Sequence, residues 1–302
     1  GKFINKIKIH KKSNMKFGGV VWGGSALDEK NGLLFVTTGN PKPGTYGAER
    51  PGKNERSNSV VAIDLLNNKV AWSFQEIIHD LWDLDLASPP IIHDLEFKGN
   101  IYETVIVNTK SGNTLVLERI TGKSLFDIEF ISVPKSTIPG EIASPYQLKI
   151  TYPESFSKID FQKEDISNLS EKKKNEIERK LINAKFGLFE TPSLTKDLII
   201  FGLHGGAQWH GSALDPINQY LYVPVNNVPW RIRPYFQDIS IYSKFTPQKF
   251  KKGKNIYRNK CSSCHGMKRN GKQAKDGEKY LEYIPSLVGL TFEKGLNGSS
   301  FL

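Results

Sequence analysis

Cysteine and methionine are nearly missing from this sequence: two of each occur in 302 residues. Both cysteines fall in one motif, Cys261-Ser262-Ser263-Cys264-His265. A structural zinc site would need two further ligands nearby, and no second Cys/His pair follows. A thioredoxin-like dithiol would follow a strand in a βαβ unit, and the flanking residues do not read that way. What remains is the C-x-x-C-H spacing. Two thiols so placed add across the vinyl groups of a haem, and the adjacent histidine supplies its proximal ligand. Covalent haem c on Cys261 and Cys264, with His265 on the iron, is the expectation. The second axial ligand is not apparent, because Met267 lies too close to His265 and Met15 is far away in sequence.

Long apolar runs are absent too. No stretch of eighteen such residues occurs, so no transmembrane helix is expected. A charged-then-apolar leader is also lacking. The sequence opens at Gly1-Lys2-Phe3 and stops at Ser300-Phe301-Leu302, soon after the haem motif, which suggests a part of a longer protein. Haem c is attached outside the cytoplasm, so a periplasmic location is expected although no leader is visible. The net charge of +11 is not focused on one element. A nucleic-acid protein would gather its basic residues with aromatics between them, so a nucleic-acid partner is not expected. The charge reads as composition, and it would assist docking to an acidic redox partner.

Aromatic residues are plentiful, with 17 Phe, 11 Tyr and 5 Trp, enough to build a core. Two internal repeats organise them. Trp22-Gly23-Gly24-Ser25-Ala26-Leu27-Asp28, followed by Leu33–Asn40, returns at an offset of 187 as Trp209-His210-Gly211-Ser212-Ala213-Leu214-Asp215, followed by Tyr220–Asn227. A second frame relates Val61-Ala62-Ile63-Asp64…Trp72 to Leu115-Val116-Leu117-Glu118…Phe126 at an offset of 54. Each is an alternating strand, a tight turn and an aromatic opening the next strand, hence a hairpin. Recurrence at this spacing predicts an all-β fold, a β-propeller of four-stranded blades whose aromatics plug the gaps between neighbours. Residues 134–190 interrupt the rhythm and end in a charged, solvated helix from Ser170 toward Lys185. After Trp230 the strand pattern fades, and an amphipathic helix leads into the haem motif. The predicted domains are 1–243, a partial propeller with the 134–190 insertion, and 244–302, a truncated, small α-helical cytochrome c domain.

Between the hairpins lies His79-Asp80-Leu81-Trp82-Asp83-Leu84-Asp85, unusually acidic for a strand-rich chain. By itself it reads equally as a loop with Asx turns. Together with Trp22-Gly23-Gly24-Ser25, Thr38-Gly39-Asn40-Pro41, Ser59–Asp64, Thr109-Lys110-Ser111-Gly112 and Ile138-Pro139-Gly140-Glu141, it resembles the pyrroloquinoline quinone (PQQ)-dependent dehydrogenases. These are eight-bladed quinoprotein propellers, and the likeness is greatest to the glucose-type branch and to members with their own cytochrome c domain.

The resemblance implies roles. Trp22 matches the tryptophan that forms the floor beneath the flat quinone, Asn40 an amide ligand of a calcium ion, and Asp83 the general base beside that calcium. Lys110 matches the cation that hydrogen-bonds the quinone oxygens; the alcohol-oxidising branch typically has arginine there. Asn226 or Asn227 matches an asparagine that touches the cofactor. The cofactors implied are PQQ, Ca2+ and haem c. The substrate implied is an alcohol or aldose, and the partner a downstream cytochrome or respiratory-chain acceptor. The acidic calcium ligand and the first cofactor-binding blades are expected before Gly1, and the distal haem ligand beyond Leu302. The stretch Ile284–Gly289 resembles one that packs on haem in small cytochromes c. Two other readings share features of this chain: a non-catalytic propeller scaffold, and an electron carrier with a degenerate propeller.

Overall fold

The structure, a computed structural model, describes residues 19–158, 160–166, 170–234 and 247–267. It divides into two compact units, residues 1–234 and 235–302. The expected boundary near 243 falls outside the described residues.

The first unit begins with a four-stranded antiparallel sheet in the order β1 (Ser25–Asp28), β2 (Leu33–Thr37), β3 (Ser59–Asp64) and β4 (Lys69–Gln75). A three-stranded sheet follows, made of β5 (Ile91–Phe97), β6 (Asn100–Asn108) and β7 (Thr114–Glu118). The period-2 pattern of β3 explains why it must lie inside the fold. Val60 and Ala62 point to one face, where they pack with Leu33, Phe35, Val105, Val107, Leu115 and Leu117. Val61 and Ile63 point to the other, against Val36. Successive side chains on a strand face opposite ways, so a strand covered on both sides reads as a continuous apolar run.

The first core cluster joins the two sheets, and Trp72 completes it at the edge. Its indole N–H donates to Arg119 O at 3.1 Å, and its ring lies 5.7 Å from that of Phe35. The bridging aromatic is therefore where the repeat frame puts it. Gly122 makes room for it: φ is +70°, and a Cβ there would lie 2.4 Å from Trp72 Cδ2. Gly122→Ala should therefore destabilise the protein by about 1–3 kcal/mol through overpacking and left-handed strain. A lower urea midpoint with unchanged m-value would register this; an unchanged midpoint would contradict the close approach.

The offset-187 repeat is visible as matching register. Ala26 pairs with Phe35 and Leu27 with Leu34. In β11 (Ala213–Asp215) and β12 (Tyr220–Tyr222), Ala213 pairs with Tyr222 and Leu214 with Leu221. The turns match as well. Asp28 accepts from the backbone and side chain of Asn31, Asp215 from those of Asn218, and Asp64 from those of Asn67. One Asx turn thus recurs three times, for a side-chain reason. The offset-54 copy is weaker. Beyond β7 the returning strand is reduced to a single bridge, Leu117 to Ser124, and Phe126 stacks edge-on with Phe97 and Tyr152.

The 134–190 segment is less of an interruption than expected. β8 (Ile128–Ser132), which lies just before it, pairs with β9 (Tyr146–Ile150) within it, and Phe161 and Ile166 pack on Ile199 and Phe201. The charged helix is shorter than read: α1 spans Glu171–Leu181, is capped by Ser170 and buries no residue. Strand structure also does not fade at Trp230. β13 (Trp230–Ile232) pairs with β10 (Leu198–Ile200), because Ile232 joins the core around Trp82. Three-residue strands carry too little alternation to be seen in sequence. Among the described residues no ring of blades closes. In the second unit α2 (Pro247–Lys260) leads into α3 (Ser262–His265). No helix of the described residues is long and apolar enough to cross a membrane.

Candidate active site

The site is built on the segment between β4 and β5. Ile77, Leu81, Trp82, Leu84 and Leu86 turn into the core, so the acids between them are forced together on the other side. Asp80 organises the turn. Its carboxylate accepts from Trp82 N and Leu84 N at 2.7 Å each, and from Asn58 Nδ2 at 2.8 Å. The Asx-turn reading therefore holds for Asp80, and it is what displays Asp83. Asp83 sits in the left-handed region at φ +61°, which aspartate tolerates better than most residues. His79 is also left-handed, at +50°, with its ring nitrogens on Gly52 O (2.7 Å) and Glu141 Oε1 (3.0 Å).

Two other segments close on Asp83. The first is the loop after β2. Asn40 N donates to Asp85 Oδ1, and Asn40 Nδ2 donates to Gly44 O at 3.0 Å and lies 3.4 Å from Asp83 Oδ1. Gly44 O can only accept, so the amide orientation is set and Asn40 Oδ1 points away from it. That oxygen is buried and has no hydrogen-bond partner among the described residues. The second is the β6–β7 turn carrying Lys110. Its ammonium reaches Asp85 Oδ2 at 2.8 Å and Asp83 O at 3.0 Å, lies 3.9 Å from Asp83 Oδ2, and is 5.8 Å from the Trp22 ring centroid. The Lys110 side chain is 5% exposed, whereas Trp22 is 43% exposed.

Charge follows from this packing. Burial alone would raise the Asp83 carboxyl, but the ammonium groups of Lys110 and Lys42 outweigh it and hold Asp83 below the usual carboxylate range. Asp80 goes the other way. Burial, reinforced by Asp83 and Asp85, pushes it up to about 7 against the pull of the Trp82 N–H and Arg50. One acid is thus kept ionised and facing outward, and its neighbour is spent on the turn.

Trp22, Asn40, Asp83 and Lys110, distant in sequence, therefore meet. The two asparagines stand apart from them. Asn226 pairs through its backbone with Gly206, where an added Cβ would lie 2.2 Å from Lys110 O, but its side chain accepts from Val228 N at 3.1 Å. Asn227 Oδ1 accepts from Lys158 N at 3.0 Å. Several residues to which the sequence assigned no role support the site. Asp85 ties Asn40 to Lys110. Arg50, fully buried, reaches Pro43 O (3.0 Å), Gly44 O (3.2 Å) and Asp80 O, pinning the Asn40 loop to the acid turn. Glu76 gathers Thr109, Ser111 and Asn113 around Lys110. Only Asp85 carried a signal, its position two residues after Asp83.

Two features bear on the groups that the sequence led one to expect. The orphaned, buried Asn40 Oδ1 is the kind of donor a hard, oxygen-seeking cation takes, although it is Asn40 Nδ2 that faces Asp83 Oδ1, at 3.4 Å. Among the described residues there is no group of three or more His, Cys, Asp and Glu that could hold a metal. A half-exposed indole with an ammonium over its ring and a glycine at its edge suits a flat, electron-poor ring system. In the second unit Cys261 is a free, partly buried thiol, and His265 follows one turn later, its N–H bonded to Cys261 O at 2.9 Å. The Cys264 side chain, Met15 and Ile284–Gly289 lie outside the described residues.

Comparison with known proteins gives consistent matches. The family model for the glucose/ethanol/alcohol dehydrogenase β-propeller domain (PQQ) matches residues 5–278. Quinoprotein glucose dehydrogenase of Escherichia coli is 28% identical over 203 residues, covering 65% of this chain and 25% of that protein. The glycerol dehydrogenase large subunit of Gluconobacter oxydans is 30% identical over 228 residues, covering 72% and 29%. A europium-containing methanol dehydrogenase structure superposes with a TM-score of 0.51 at 21% identity, over 72% of this chain and 31% of that one. The chain thus spans less than a third of the length of these relatives.

Proposed function

Because the chain belongs to the glucose/ethanol/alcohol dehydrogenase β-propeller family, we propose that it forms the substrate-oxidising part of a periplasmic PQQ- and calcium-dependent dehydrogenase. It acts on the CH–OH group of an alcohol or sugar and passes electrons to covalently bound haem c, and from there to a downstream cytochrome or respiratory-chain acceptor. The observation that carries this reading is the convergence of Trp22, Asn40, Asp83 and Lys110, with Asp83 held ionised between Lys110 and Lys42. The two domains it assigns are a partial propeller up to about 243 and a cytochrome c segment after it.

In this reading Trp22 and Lys110 would hold the quinone, and Asn40 and Asp83 would hold the calcium. PQQ, when bound, would supply the hydride acceptor, and calcium a Lewis acid. The protein's own tasks are positional and protonic. Asp83 Oδ1 takes the proton of the substrate hydroxyl as a general base. Lys110, shared between Asp85 Oδ2 and Asp83 O, holds the second acid away from that proton. Either Asn226 or Asn227 would need to turn its amide toward the cofactor. Cys261 and Cys264 carry the haem, with His265 as its proximal ligand.

Reconstitution tests the reading. Full-length protein given PQQ and calcium should reduce an artificial dye with sugars or alcohols, and chelation of calcium should abolish that reduction. A pyridine haemochrome spectrum should carry the c-type signature. Turnover that needs neither quinone nor metal would sink the proposal.

A further inference from the structure

Asp83 has a second cation on its outer side. Lys42 Nζ lies 3.0 Å from Asp83 Oδ1, and the Lys42 side chain is 62% exposed. The two lysines beside the base differ in kind. Lys110 is buried and already held by Asp85 and the Asp83 carbonyl. Lys42 has Asp83 as its only hydrogen-bond partner among the described residues, so donors remain on the solvent side. Its backbone is nonetheless fixed. Pro41 and Pro43 flank it, Arg50 holds Pro43 O and Gly44 O, and Asn40 also bonds Gly44 O. A stiff loop thus presents an ammonium with donors to spare on the solvent side, paired with the oxygen assigned above to take the substrate proton.

A neutral polyol has little use for that charge. A hydroxy acid does: its hydroxyl can donate to Asp83 Oδ1 while its carboxylate accepts from Lys42. With those two protein atoms 3.0 Å apart, the substrate oxygens that bridge them lie roughly 3 Å from each other. A carboxylate on the carbon beside the hydroxyl, or one further along, provides that spacing. We propose that Lys42 is a specificity-determining residue that selects 2- or 3-hydroxy acids as substrates. The proposal rests on the quinone-dehydrogenase reading above and narrows its substrate class.

The test compares lactate with propane-1,2-diol, which differ at the carboxylate, on the holoenzyme loaded with PQQ and calcium. The wild-type protein should favour lactate in kcat/KM, and added salt should lower that preference. In Lys42→Gln the lactate-to-diol ratio should fall by about tenfold or more, the loss expected for one charge-assisted hydrogen bond, and the salt dependence should disappear. Lys42→Arg should restore part of the ratio, and Lys42→Glu should invert it. A ratio unmoved by Lys42→Gln, with both substrates turned over, would overturn the role of Lys42 and leave the dehydrogenase standing. Quinone-dependent turnover of no substrate at all would overturn both.

Discussion

Replacing Asp83 by asparagine is expected to lower kcat by about two to four orders of magnitude, the usual contribution of a positioned general base. Asparagine is the informative choice. It matches aspartate in shape, tolerates the left-handed conformation that residue 83 adopts at φ +61°, and keeps an oxygen for a bound cation. It cannot take a proton. Lys110 retains Asp85 Oδ2 at 2.8 Å, and Trp22 is untouched, so quinone binding should persist. The measurement pairs dye-reduction kinetics with quenching of tryptophan fluorescence by PQQ. Lost turnover with retained quenching is the expected pair of results. Turnover within a few-fold of wild type would show that another group removes the proton.

Trp82→Ala should cost about 3–5 kcal/mol, the range for deleting a large core aromatic. Trp82 is the bulkiest fully buried side chain of the described residues. It packs with Ile77, Leu84, Leu198, Ile200 and Ile232, and its ring meets Phe189 edge-on at 5.1 Å. Its indole N–H donates to Glu190 O at 2.7 Å, so the substitution also leaves a partly buried carbonyl without this donor. Domains of this kind are stable by about 5–15 kcal/mol, so the loss is a large share of the whole. Urea unfolding would read it directly. Trp82→Phe, which keeps most of the volume and loses only the N–H, should recover the greater part. A Trp82→Ala midpoint close to wild type would mean that the acid turn does not depend on the core beneath it. The two predictions probe one device from its two sides: Trp82 anchors the turn, and Asp83, the next residue, is what the turn displays.

The repeats were legible because they are written in local chemistry. An alternating strand, an Asp-x-x-Asn turn and a bridging aromatic each need only near neighbours, and Asp28, Asp64 and Asp215 make the same turn. The short strands β10 and β13 were not legible, since three residues show no period and their partner lies more than thirty residues away. Trp22, Asn40, Asp83 and Lys110 were found through likeness to a family. Their spacing carried no information about one another.

Residue order alone thus settled a β-rich repeat chain, an acidic turn and a C-x-x-C-H motif, because strand alternation, Asx turns and short motifs act over a few residues. It left open which acid serves the turn, and only likeness to a family singled out Asp83 as the base. Asp80, Asp83 and Asp85 are chemically alike, and only the packed structure separates them. Asp80 is buried against backbone donors, Asp85 is held between Asn40 and Lys110, and Asp83 emerges between two lysines. Arg50, Glu76 and Lys42 belong to the same lesson. A side chain's role here depends on burial and on partners brought from distant strands, and tertiary contact alone supplies both.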